Sequence, residues 1–295
     1  MVWDDVNENV KQANEQYSFS ELKEEKLALV SKSDKKTFNE MYGHEAILIY
    51  GQPKTGKTYA ACSFIENIIN NGGNIFYINT DNGLFRTLQV YFKENFEGIK
   101  NKINYYLITD LKSLDEVIKD VKNKVKSNDL IVIDLLDDFW EMSQTQFVQD
   151  VCDSMGIKIV DYIITASKEK EKFGLLDANK WNYAKKFDDI IIRNLIIVPP
   201  CNVIACCGAK DIEIAKIFAK KDEDKMYELS KYEEVGSRPA GQKSLAYKFN
   251  TVIYLGELRN GKRFFTIMGD RGFLRNSKKV EYQDSFYNAF SDLSK

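Results

Sequence analysis

The chain has one histidine, and its five cysteines, at 62, 152, 201, 206 and 207, include no Cys-x-x-Cys pair. Zinc centres are built from histidine and cysteine at short spacings, so a zinc site is not expected. An odd number of scattered cysteines also fits reduced thiols in a cytoplasmic chain better than a disulfide framework. No apolar run approaches the roughly 18 residues that a membrane-spanning helix needs. The N-terminus, "MVWDDVNENVKQ", is acidic and polar, unlike a secretory leader. No membrane partner is expected. An excess of one charge is missing as well: Lys+Arg number 42 against 44 Asp+Glu, a formal charge of −2. No global basic field draws the chain onto nucleic acid, so any such contact must use a local patch. Internal repeats and low-complexity tracts are also absent.

What is present is 295 residues that are 44% hydrophobic, enough for a sizeable core in one large domain with an appendage. Residues 1–43 read as a polar, helix-prone N-terminal extension, with "SELKEEKLALV" at helical spacing behind a serine cap. From 44 to 295, strand and helix signals alternate. Short apolar runs at 46–50, 74–80, 103–109, 130–136 and 202–208 predict buried strands. Amphipathic stretches at 58–70, 84–96, 114–127 and 177–198 predict helices, the last stopped by Pro199-Pro200. Residues 139–175 give no clear signal. Strands at 250–258 and 261–269 predict an antiparallel hairpin at the sheet edge, and a last helix is predicted near 282–293. The alternation predicts an α/β fold, a mainly parallel sheet with helices on both faces.

Between the first strand and first helix stands Gly51-Gln52-Pro53-Lys54-Thr55-Gly56-Lys57-Thr58, followed by Tyr59. It matches G-x-x-x-x-G-K-[ST] in the strand–loop–helix context that gives this motif its meaning. Glycines let successive backbone N–H groups turn inward around an anion, and the helix start adds its positive end. The expected ligand is ATP with Mg2+. Residues 51–59 cradle the phosphates, Lys57 reaches the β- and γ-phosphates, and the Thr58 hydroxyl is a metal ligand. Such a site also needs an acid at the end of a buried strand. "LIVIDLL" offers Asp134 as the second metal-holding residue. The next residue is Leu135, which cannot activate water. The strand "FYINT" ends beside Asp81, and in a parallel sheet the strand ends converge on the ligand crevice. Asp81 is therefore the candidate for orienting the attacking water.

"YINTDNGLFR", the phosphate loop and "GSRPAGQKSLAYKFNTVIYLGELRNGKRFFTIMGDRG" together resemble the RecA-like recombinase ATPases. The form of the phosphate loop, the helix from 180 and "GDRG" are most similar to versions encoded by phages and archaeal viruses. The resemblance spans about residues 44–275. It implies a RecA-like ATPase that acts on DNA, by single-strand binding, annealing or recombination. It also places Asp81 where the family carries a water-activating glutamate. The sequence departs from the family in two ways. Gly208 stands where a polar γ-phosphate sensor is usual, with Lys210 a candidate substitute, and no Phe-x-x-Ala subunit tether is visible.

The resemblance implies single-stranded DNA contacts from segments 139–178 and 209–240, where basic and aromatic residues mix with acids. Segment 259–279 is the most basic window, with seven Lys and Arg against Asp270. Related oligomeric ATPases send a cation from this place into a neighbour's site. That makes Arg271 the candidate for such a role in a homo-oligomer, ring or filament, with Arg275 and Lys262 behind it. Two alternatives stand beside this reading: a ring-forming motor or helicase-like ATPase, and a nucleotide-gated assembly protein with weak hydrolysis. Metabolic kinase activity is disfavoured by the lack of an arginine-rich lid.

Overall fold

The computed structural model describes residues 44–295 except 82, 162–180, 220–221, 259, 272–278, 284 and 294–295. The predicted N-terminal extension, 1–43, lies outside the described residues. The chain from 44 adopts the predicted α/β architecture. Strands β1 (Ala46–Tyr50), β2 (Ile75–Asn79), β4 (Leu130–Asp134) and β5 (Asn202–Cys207) are buried almost throughout. That is why each reads as an unbroken apolar run, since strands covered on both faces do not alternate. Among the described residues the main sheet runs in the order β10 (Val280–Tyr282), β9 (Arg263–Asp270), β8 (Thr251–Glu257), β1, β5, β4, β2 and β3 (Ile103–Leu107). All pairs from β8 to β3 are parallel.

Side chains alternate between two cores, as the period of a strand requires. Leu48, Tyr50, Ile131 and Ile133 face one side, and Ile47, Ile49, Leu130 and Val132 the other. Helices α1 (Lys57–Asn70), α2 (Leu84–Phe92) and α9 (Phe286–Asp292) cover the second face. The first is covered by α4 (Leu111–Lys124), α5 (Leu136–Ser154) and α6 (Trp181–Ile192). Helix α4 starts at a capping box, Asp110 accepting from the Ser113 N–H at 2.7 Å. A short α3 (Phe96–Lys100) follows α2.

Several boundaries differ from expectation. The strand predicted to run to 136 stops at Asp134, where its ladder with β2 ends at the Asn79–Asp134 pair. Helix α5 spans Leu136–Ser154, starting at the last residue of the predicted strand and running into the 139–175 region that gave no clear signal. Helix α6 continues as a π-helical stretch, Arg193–Ile197, before the proline pair. Residues 209–240 are not one loop. They contain β6 (Ala209–Asp211), α7 (Ile212–Ala219), α8 (Glu223–Ser230) and β7 (Ser237–Pro239), with β6 and β7 paired antiparallel. The late hairpin is present as β8 (Thr251–Glu257) and β9 (Arg263–Asp270), but β8 pairs in parallel with β1 and β10 (Val280–Tyr282) forms the edge. No described helix is long and apolar enough to cross a membrane.

Candidate nucleotide-binding site

The loop after β1 is shaped by close approach of the next strand. A Cβ on Gly51 would stand 2.2 Å from the Leu255 carbonyl oxygen of β8, so no larger residue fits. Gly56 caps α1 with φ +93, left-handed backbone that glycine adopts freely. Between them Gln52, Pro53 and Lys54 are exposed, and Thr55 closes the turn by donating its hydroxyl to the Gln52 carbonyl at 2.9 Å. Lys57 is buried, and its ammonium donates to the Gly51 and Gln52 carbonyls at 3.0 Å each. This cation therefore lies across the concave side of the loop, at the N-terminus of α1.

The loop is tied to β4 by one hydrogen bond. The Thr58 hydroxyl donates to Asp134 Oδ2 at 2.8 Å, and the Tyr77 hydroxyl donates to the same oxygen at 2.9 Å. Asp134 is 2% exposed. Burial pushes its carboxyl up to about 6; the Thr58 and Tyr77 bonds oppose this, neighbouring Asp81 adds to it, and Lys57 opposes it. A hydroxyl and a carboxylate are the hard oxygen donors that Mg2+ takes. Thr58 and Asp134 thus fit the ion and would hold it.

Three further acids gather at the C-terminal ends of β2 and β4. Asp81 is exposed, with Oδ1 accepting the Gly83 N–H at 2.7 Å, and its backbone carbonyl accepts from the buried Asn79 amide. Asp138, in the first turn of α5, accepts from the Thr80 hydroxyl, which in turn accepts the Leu135 N–H at 3.0 Å. Burial, above all, raises the Asp138 carboxyl. Asp137 accepts the Gly208 N–H at 3.1 Å, and its other oxygen would lie 2.9 Å from a Cβ at 208. Asp137 thus fills the space that a side chain at position 208 would take.

A family model described as an AAA domain matches residues 44–266. The chain belongs to that AAA domain family. No curated protein matches it. Among solved structures, the crystal structure of the RadB recombinase is similar over 82% of this chain and 88% of its own, at 17% identity and a TM-score of 0.45.

Other predicted positions fall elsewhere in the chain. Asp270 pairs with Thr251, the first residue of β8, so Arg271 lies at the end of the sheet opposite its own phosphate loop. The Arg271 backbone N–H donates to Asn250 and its guanidinium to the Tyr247 carbonyl, at 2.8 and 2.7 Å. Arg275 lies outside the described residues, and Lys262 pairs with Glu281 at 3.5 Å. Lys210 is on β6, across the sheet from α1. Phe139 is fully buried in the core and is not free to stack on a base. Lys168, Lys170, Lys172 and Phe173 lie outside the described residues.

Three residues at the site were missed by sequence reasoning: Tyr77, Thr80 and Arg263. Arg263 opens β9, and its guanidinium lies 4.8 Å over the Tyr59 ring, with Nε 2.8 Å from where a Gly56 Cβ would be. The available signal was direction. A hairpin strand returning beside β8 begins, not ends, at the phosphate-loop end of the sheet.

Proposed function

We propose that this AAA domain binds ATP with Mg2+, hydrolyses it, and couples the cycle to single-stranded DNA. The observation that carries the nucleotide half is the Thr58–Asp134 hydrogen bond. It joins the phosphate loop to the end of β4 and sets a hydroxyl and a carboxylate side by side near Lys57. On phosphate binding, Lys57 exchanges its two loop carbonyls for phosphate oxygens. Mg2+, when bound, supplies neutralising charge to those oxygens. Arg263 and Tyr59 border the side of the loop where α1 continues, and contact the nucleotide beyond its β-phosphate. Asp81, exposed at the end of β2, orients the attacking water, since Leu135 cannot and Asp137 is bonded to Gly208. The DNA half rests on the basic 259–279 segment and on the likeness of "YINTDNGLFR" to RecA-like ATPases. Assembly into an oligomer, with Arg271 completing a neighbour's site, belongs to the same proposal.

The test is ATP turnover with and without single-stranded DNA, for the wild type and for Asp81→Asn. DNA is expected to raise wild-type turnover. Asp81→Asn is expected to bind ATP normally and lose about 10²–10⁴ in rate, the usual contribution of a positioned base. Normal turnover in Asp81→Asn together with loss in Asp138→Asn would move the role to Asp138. A rate indifferent to DNA would remove the DNA half and leave a nucleotide-gated protein.

A further inference from the structure

A cavity of about 760 Å3 opens on the face of the sheet opposite α1, between the β8–β9 hairpin and the 209–249 segment. Its floor is apolar, formed by Phe249, Val252 and Met268, and the tyrosines Tyr232 and Tyr247 line its sides. Its charged wall is lopsided, with six Lys and Arg against three Asp and Glu. Asp211 accepts the Glu213 N–H at 2.7 Å and Glu228 the Tyr247 hydroxyl at 3.4 Å, while among the cations Lys225 pairs with Asp222 and the Arg271 guanidinium donates to the Tyr247 carbonyl.

Two of these cations are Lys210 and Arg238. They are directly opposed partners in the β6–β7 ladder. Like charges directly across an antiparallel pair destabilise it. Neither has a carboxylate partner among the described residues. Arg238 is half-buried, and its guanidinium donates only to the neighbouring Pro239 carbonyl, at 3.2 Å. Burial lowers its hold on the proton, as expected of a cation taken from water without a counter-charge. An anion placed between the two cations would offset the repulsion of this like-charged pair. A bare anion would leave most of a cavity this size empty, since volumes of about 300–1,000 Å3 suit drug-sized ligands. The floor and tyrosines add an apolar surface on which a planar ring can pack.

The geometry points to a second ligand site here, for a nucleoside phosphate: its phosphate between Lys210 and Arg238, its ring against the exposed Tyr247. The site lies across the sheet from the phosphate loop and does not depend on ATP hydrolysis there. The same chemistry could come from a free nucleotide or from one unit of a single strand.

The experiment is calorimetric titration of the full chain with dTMP, thymidine, inorganic phosphate and a twelve-residue oligo-dT. Wild type should bind dTMP at least tenfold more tightly than thymidine or phosphate. Lys210→Met should weaken dTMP about fivefold and Arg238→Met tenfold or more, with Arg238→Lys recovering part of the loss. Lys57→Ala should leave dTMP affinity unchanged while weakening ATP, which separates this site from the phosphate loop. Oligo-dT binding far more tightly than dTMP, and losing its affinity in Arg238→Met, would identify a strand as the source. Parity between the two would identify the free nucleotide. Lys210 is exposed, so Lys210→Met keeps the test valid if Arg238→Met fails to fold, as a melting curve would show. No dTMP binding to wild type, unchanged affinity in Lys210→Met and in folded Arg238 variants, phosphate binding as well as dTMP, or loss of dTMP in Lys57→Ala would each overturn the assignment.

Discussion

Asp134 is a carboxylate sealed at the end of a buried strand, and its energetics set a trade between stability and ligand binding. Its folded pKa of about 6 stands above the ordinary 3.8. The folded state therefore holds the proton more tightly than the unfolded one. The stability this gives is full below pH 3.8 and is lost as pH rises through 6. Above that range the buried charge costs on the order of 3 kcal/mol. Asp134→Asn keeps the shape and still accepts from Thr58 and Tyr77 without the charge. Without nucleotide it is expected to melt several degrees above wild type at pH 8, with the gap closing as pH falls below 6. It should also lose the stabilisation that ATP and Mg2+ give the wild type. Melting curves from pH 5 to 8, with and without ATP and Mg2+, measure both effects. A gap that stays constant with pH would show that the Asp134 charge is not the source.

At the scale of elements, the β8–β9 hairpin is the part of the sheet that finishes the nucleotide site. Its Leu255 carbonyl fixes Gly51 and its Arg263 covers Gly56 and Tyr59. Arg263→Ala is expected to weaken ATP binding about tenfold, the scale of one charge-assisted contact. Arg263→Lys should recover only part, because an ammonium lacks the planar fork that stacks on Tyr59. Unchanged affinity in Arg263→Ala by titration would make this contact purely structural. The hairpin also marks where sequence reading stopped. The segment β1–loop–α1 was legible because a phosphate loop has a fixed spacing and sits between unmistakable apolar runs. Strands β2, β4 and β5 were legible because burial on both faces leaves them without polar breaks. Helix α5 was not, since its first turn carries Asp137 and Asp138 and its buried positions, Leu136, Phe139, Ser143, Phe147 and Cys152, include a serine. The small β6–β7 ladder was invisible because three-residue strands carry no period. Asp134 and Thr58 could be paired from the motif, whereas the Tyr77, Thr80 and Arg263 contacts depend on register and strand direction, which composition does not encode.

For the whole molecule the open quantity is whether one chain holds a complete site. The loop, Asp134, Asp81 and Arg263 all lie at one end of the sheet of a single chain. Arg271 lies at the other end of β9, roughly 25 Å along the strand from Arg263 at about 3.3 Å per residue. No rotamer brings it to its own loop, so any part it takes in hydrolysis is played in a neighbouring copy. A trans arginine can contribute 10³–10⁵ in rate. Mixing separates cis from trans. Arg271→Ala is expected to bind ATP normally and turn over at least a hundredfold more slowly. Lys57→Ala is expected to be inactive through its own loop. Combined, they should regain activity, because some interfaces join an intact loop on one copy to an intact Arg271 on the next. Asp81→Asn mixed with Lys57→Ala should regain none, since Asp81 and Lys57 serve the same nucleotide from one chain and neither parent contains both. If the Arg271→Ala mixture stays as slow as its parents, or if the wild type turns over fully at concentrations where its mass is that of one chain, the trans role is wrong. Arg271 then simply ties the end of β9 to the chain before β8 through the Tyr247 carbonyl it already holds.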